Sequence, residues 1–240
     1  MPILELPTAD NYIRQGVTTI MGGPDGFSPI PLRPVLHRVQ EAGITPNLGS
    51  FVGHGSIRAE VIGLANRPPT PAELNRMREI VRQAMRDGAF GLSTGLFYLP
   101  ATFARTEEVV ALAQVAGSMG GIHISHIREE AAQLVDSVAE TIRIGEEGGL
   151  PTQVTHHKTM GKLAWGRTVE TLKLVDEARR RGVDVTIDVY PYTASATLIE
   201  AGLLPAWAQE GGQPAILQRL RQPEVRQRIR RETIRLILEE

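Results

Sequence analysis

The chain contains no cysteine, which excludes a disulfide framework and any thiolate metal site. Charge of neither sign predominates, because 26 Lys plus Arg stand against 27 Asp plus Glu for a formal net charge of −1. So small a net charge steers the chain toward neither nucleic acid nor an anionic membrane. Apolar runs are short as well. Met1 is followed only by residues 3–6 before Pro7, so no signal peptide is read there, and no stretch approaches the roughly 20 residues of a membrane span. A cytoplasmic location with neither nucleic-acid nor membrane partner is the expectation. Aromatics are scarce at 5%, whereas hydrophobic residues make up 42% and glycines number 24 among 240 residues. That balance argues against general disorder and suits an α/β chain able to bury a sizeable core.

The main regularity is an alternation of short β-branched runs with longer segments of helical period, the sequence form of repeated βα units. Six runs are read, at 16–21, 44–52, 90–93, 121–125, 152–155 and 183–189. Thr70, Pro71, Ala72 and Glu73 read as N-cap, N1, N2 and N3 of a helix with a capping box, whose buried stripe is Leu74, Met77, Val81 and Ala84. Gly88 and Gly182 read as left-handed stops before the next strand, and Thr106 and Thr168 as further N-caps. Right-handed crossovers make such units a parallel sheet. After Tyr192 the pattern changes: 207–212 reads as irregular, and 214–220 and 224–238 as helices. Seven arginines between Arg219 and Arg235 are interleaved with glutamates, which reads as a solvated helix face.

In parallel α/β folds reactive groups gather at the carboxyl ends of strands. Here those ends deliver histidines. The second run leads into Gly53-His54-Gly55, the fourth into Ser125-His126-Ile127-Arg128, and the fifth into Thr155-His156-His157-Lys158. His126 and His156 are one βα unit apart, so both project from neighbouring strand ends, as metal ligands would. His123, in the same run as His126, is read as pointing to the same side and competes as a ligand. His157 faces away from His156 and is read as packing or supporting the site. Asp25 lies just past the first run, in Gly22-Gly23-Pro24-Asp25-Gly26. It reads either as a turn aspartate or as a third ligand. Arg128, Lys158 and Tyr98 also fall at or beyond strand ends, where a cation suits a substrate carboxylate. A rival is formal: Gly91-Leu92-Ser93-Thr94-Gly95 fits the nucleophile-elbow expression, although no helix follows the serine at once.

Taken in order, Gly16-Val17-Thr18-Thr19, Gly53-His54-Gly55, Gly91 through Tyr98, Ser125-His126-Ile127-Arg128-Glu129, His156-His157-Lys158 and Asp188-Val189-Tyr190-Pro191-Tyr192 resemble the N-acyl-D-amino-acid deacylases (D-aminoacylases) of the amidohydrolase superfamily, from about residue 4 to 210. The resemblance implies a metal-dependent (β/α)8 TIM barrel that hydrolyses the amide of an N-acylated D-amino acid. It implies zinc or another divalent metal held by His126, His156 and Asp25, the last where many members carry cysteine, and it favours His126 over His123. It implies substrate contacts from Lys158, Tyr98, Tyr190 and Arg128, with His54 and His157 supporting the site. The substrate-side serine of the family falls on Ala196, beside Ser195.

The family's opening His-x-His is expected before Leu4 and its catalytic aspartate beyond Glu240. The expectation is therefore an incomplete barrel of about six βα units, strands two to seven, over 1–210, with a helical segment over 211–240. No catalytic general base is assigned, activity is expected to be impaired, and association through open barrel edges is expected. The alternatives are a non-catalytic barrel piece and an amidohydrolase acting on a cyclic amide.

Overall fold

The structure, a computed structural model, describes residues 2–239; Met1 and Glu240, the last residue of the expected helical segment, lie outside that range. Among the described residues, no helix is long and apolar enough to cross a membrane. Among the described residues there are seven strand segments, separated by helices except between the second and third: β1 (Thr19–Gly22), β2 (Asn47–Ser50), β3 (Val52–Gly53), β4 (Gly91–Gly95), β5 (Ile122–His126), β6 (Thr152–Val154) and β7 (Val185–Ile187). All pairings are parallel, β1 with β2 in one sheet and β3 through β7 in sequence order in a second. The second sequence run is thus divided at Phe51: its first part pairs with β1 and its second with β4.

The helices are α1 (Asp10–Ile13), α2 (Arg33–Ala42), α3 (His54–Val61), α4 (Pro71–Arg86), α5 (Thr106–Ser118), α6 (Leu134–Gly148) and α7 (Thr168–Arg180), followed by α8 (Ile199–Leu203), α9 (Ala206–Gln209), α10 (Gly212–Arg221) and α11 (Pro223–Glu239). Local chemistry explains α4. Glu73 N donates to Thr70 Oγ1 at 3.3 Å while Thr70 N donates to Glu73 Oε2 at 2.7 Å, and Pro71 occupies the first turn. Its Met77, Ile80, Val81 and Ala84 are buried. Thr106 and Thr168 are not caps. Each is the first helical residue after an arginine, and the Thr106 hydroxyl instead donates to Glu140 at 2.8 Å.

Burial follows from the layering. α5 packs between α4 and α6 against β4 and β5, so Val109, Leu112, Ala113 and Ala116 are buried on several of its sides. One apolar cluster joins these residues to Val52, Leu92 and Met77, and a second gathers Ile127, Val138, Val154, Val175 and Val185. Beyond β7, Trp207 lies in the short helix α9, not in irregular chain. Its indole donates to Glu232 at 2.5 Å and Arg228 stacks over its ring at 4.0 Å, which docks α11 onto α9.

Candidate metal centre

Three parallel strands deliver the centre. His126 is the last residue of β5, His156 follows β6 by two residues, and Asp25 sits in the turn after β1. His156 Nε2 lies 2.8 Å from His126 Nδ1, and His126 Nδ1 lies 3.8 Å from Asp25 Oδ1. One atom from each of the three lies within 4.8 Å of the others.

The backbone is bent to achieve this. Asp25 (φ 55°) and His156 (φ 42°) are two of three non-glycine residues with positive φ among the described residues, a conformation costing on the order of 1–3 kcal/mol each. Asp188, just past β7, secures the second of these. Its carboxylate accepts the His156 amide and, at 2.5 Å, the Gln153 side chain, while its carbonyl accepts the His157 amide at 2.8 Å. The Asp25 turn is held differently. It presses so closely on the sheet that a Cβ at Gly53 would collide with the Gly26 backbone, and one at Gly95 with the Asp25 carbonyl.

Electrostatics suit the residues to a cation. Burial pushes the His126 imidazole down to about 4, so it is neutral, with a lone pair to offer, at neutral pH. Burial raises the Asp25 carboxyl, and nearby His156 partly opposes that rise. Two imidazoles and a carboxylate match the donors that zinc accepts, and a set without thiolate also suits harder divalent ions. These residues fit a divalent metal.

The centre forms one wall of a pocket of about 410 Å³ whose lining includes Tyr98, Glu130, Lys158, Tyr190, Ser195 and Ala196. The Tyr98 ring leans on His126 at 4.7 Å, and its phenol, raised by burial, accepts from Thr197 at 3.2 Å. Lys158 donates to Glu130 at 2.6 Å and lies 5.4 Å from the centre of the Tyr190 ring.

Other expected residues are employed elsewhere. Arg128 does not face this pocket: its guanidinium is bidentate on Glu140 and donates to the Thr102 and Ala104 carbonyls, so four hydrogen bonds tie it to the neighbouring helix and loop. His54 does not support the centre. It is fully buried at the start of α3 and bonds Glu108 at 2.9 Å, the same carboxylate that Arg58 grips at 2.5 Å. His157 turns to Thr171 of α7 at 2.7 Å, on the packing side. His123 is three residues from His126, so strand alternation separates their side chains. The expectation that they share a side is overturned: both ring nitrogens of His123 are bonded in the interior, to Thr94 at 3.0 Å and Thr152 at 2.8 Å. The serine-nucleophile rival fails too, because Ser93 is buried inside β4 and donates to the Gly23 carbonyl at 2.6 Å. One residue escaped the sequence reading. Glu130, 6% exposed, sits 3.0 Å from His156 Nδ1. Its only sequence signal is an acid four residues beyond a strand-end histidine.

No protein-family model matches the chain. The chain is 37% identical over 211 aligned residues to a D-aminoacylase from Alcaligenes xylosoxydans xylosoxydans, covering 78% of this chain and 43% of that protein. It is 32% identical to an N-acyl-D-aspartate deacylase of the same organism, covering 78% and 42%. Among solved structures, a D-aminoacylase studied for its binuclear metal centre superposes with a TM-score of 0.78 at 33% identity over 84% of this chain and 48% of that one. An N-acyl-D-glutamate deacylase from Bordetella bronchiseptica, complexed with zinc and a phosphonate inhibitor, superposes with a TM-score of 0.76 at 33% identity, covering 80% and 45%. The chain spans less than half the length of these relatives.

Proposed function

We propose, for a chain that belongs to the D-aminoacylase family over the part it covers, that it carries the metal- and substrate-binding face of a hydrolase acting on the amide bond of N-acylated D-amino acids. Its βα units correspond to strands two to seven of a (β/α)8 barrel over 1–210, and 211–240 to helices peripheral to it. The observation that carries the reading is the convergence of Asp25, His126 and His156 on one point beside the pocket. These three hold zinc or another divalent ion, which when bound supplies Lewis-acid activation. Lys158, which already donates to Glu130 and to the His156 carbonyl, offers its remaining ammonium hydrogen to the substrate carboxylate. Tyr98 presents a neutral phenol and Tyr190 an aromatic wall. Among the described residues β1 pairs only with β2 and β7 only with β6, and these edges favour self-association.

Zinc titration against a chromogenic chelator tests the metal assignment in the 240-residue chain. His126→Ala and His156→Ala are each expected to weaken binding at least tenfold, and unchanged affinity in either variant overturns the assignment. Ligand-observed NMR of the zinc-loaded chain tests the substrate class. An N-acetyl-D-amino acid is expected to bind in preference to its L enantiomer, and Lys158→Ala to abolish that preference. Selective binding of a cyclic amide instead would replace the D-aminoacyl reading.

A further inference from the structure

The Nδ1 atom of His156 has two competing neighbours. Glu130 Oε1 lies 3.0 Å from it, and so does Lys158 Nζ. The two make opposite demands. A carboxylate only accepts, so Glu130 requires a proton on Nδ1; an ammonium only donates, so a Lys158 bond to Nδ1 requires that nitrogen bare. In a neutral imidazole the other nitrogen takes the opposite state. Nε2 is the atom that faces His126. With Glu130 as partner, Nε2 presents a lone pair toward Asp25 and His126; with Lys158 as partner, it presents a hydrogen, which no cation accepts.

We infer that Glu130 is a positioning residue that selects the Nδ1–H tautomer of His156, and so the metal-accepting face of that ring, by outcompeting Lys158 for Nδ1. The inference rests on the metal reading above for its consequence, but not for the tautomer itself. Glu130 wins on two counts. Its Oε1 stands at ion-pair distance, 3.0 Å, from Nδ1, and it draws the Lys158 ammonium to itself at 2.6 Å, shorter than that ammonium's contacts to the ring nitrogen at 3.0 Å and to the His156 carbonyl at 3.2 Å. Its own place is fixed by the preceding residue. The Glu129 carboxylate accepts the Ala131 and Gln133 amides and thereby folds the loop after β5, while the Met160 amide donates to the Glu130 carbonyl at 2.8 Å.

The test uses Glu130→Ala, Glu130→Gln and the double variant Glu130→Ala/Lys158→Ala. Two-dimensional 15N NMR of the metal-free 240-residue chain reports the His156 tautomer, and chelator competition reports zinc affinity; far-UV circular dichroism confirms that each variant is folded. Glu130→Ala is expected to move the proton from Nδ1 to Nε2 and to weaken zinc about 10- to 100-fold, the range for lost support behind a metal-binding histidine. Glu130→Gln keeps a carbonyl acceptor and is expected to stay within a few-fold of the parent with the tautomer unchanged. Removing Lys158 as well removes the competitor, so the double variant is expected to recover most of the loss. An unchanged tautomer in Glu130→Ala overturns the inference, as does a double variant as impaired as Glu130→Ala. If instead the parent and His156→Ala bind zinc equally, the metal reading fails while the NMR still judges the role of Glu130.

Discussion

Two pairs of histidines, His54 with His123 and His126 with His156, live under opposite rules. His54 and His123 lie in the interior, both 0% exposed. His54 shares Glu108 with Arg58, and His123 is clasped between two threonines. His126 and His156 have a pocket in front of them, strained or stacked surroundings, and ring nitrogens that face each other at 2.8 Å beside the Asp25 carboxylate. The interior pair completes the fold's own hydrogen bonds. The pocket pair gathers its nitrogens, with the Asp25 carboxylate, around one point, and the backbone at His156 is held in a costly conformation to do so.

Substitutions should therefore separate the pairs by stability. The largest effect is expected at Glu108. Burial would raise this carboxyl, but His54 and Arg58 outweigh it and hold it below the usual range. Glu108→Ala leaves a fully buried guanidinium unpaired and should cost about 3–5 kcal/mol in urea unfolding. A loss under about 1 kcal/mol would collapse the distinction.

His123 comes next. Burial, with nearby His54 adding, pushes its imidazole down to about 3. Because the folded value lies below the unfolded one near 6.5, the unfolded chain binds the extra proton, so stability present above about pH 6.5 is lost as pH falls toward 3, at up to about 1.4 kcal/mol per pH unit. His123→Gln should flatten that acid slope while costing about 1–3 kcal/mol at neutral pH. A slope unaltered by the substitution would mean that this histidine is not buried neutral.

The smallest effect is expected at the pocket. His156→Gly removes a side chain from a left-handed position, and the relief of about 1 kcal/mol should nearly offset the lost contacts. Stability of the metal-free chain should therefore shift by less than about 1 kcal/mol although zinc binding is lost. A shift as large as that of Glu108→Ala would place His156 among the structural histidines.

The alternation of strands and helices was legible because period 2 and period 3.6 repeat over many residues, and the capping box at Thr70 and Glu73 because it needs only neighbours in sequence. The strand-end position of His126 and His156 was legible for the same reason. Features decided by long-range partners were not. A guanidinium at a strand end carries one signal whether it turns to a pocket or, as Arg128 does, to Glu140 on the next helix. Glu130 lies in a loop without periodicity and reaches His156 only because Glu129 folds that loop. Nothing local to Phe51 announces that one run will serve two sheets.

Because Gly53 and Gly95 admit the Asp25 turn at backbone distance, the place of the carboxylate is inherited from the sheet itself. A side chain at either glycine would lift the whole turn, whereas the side chain at position 25 lines the pocket. Descent with modification therefore has an easy path and a hard one here. The donor atom at position 25 is set by one side chain, subject to its left-handed backbone, while the turn's depth against the sheet changes only if several residues move together.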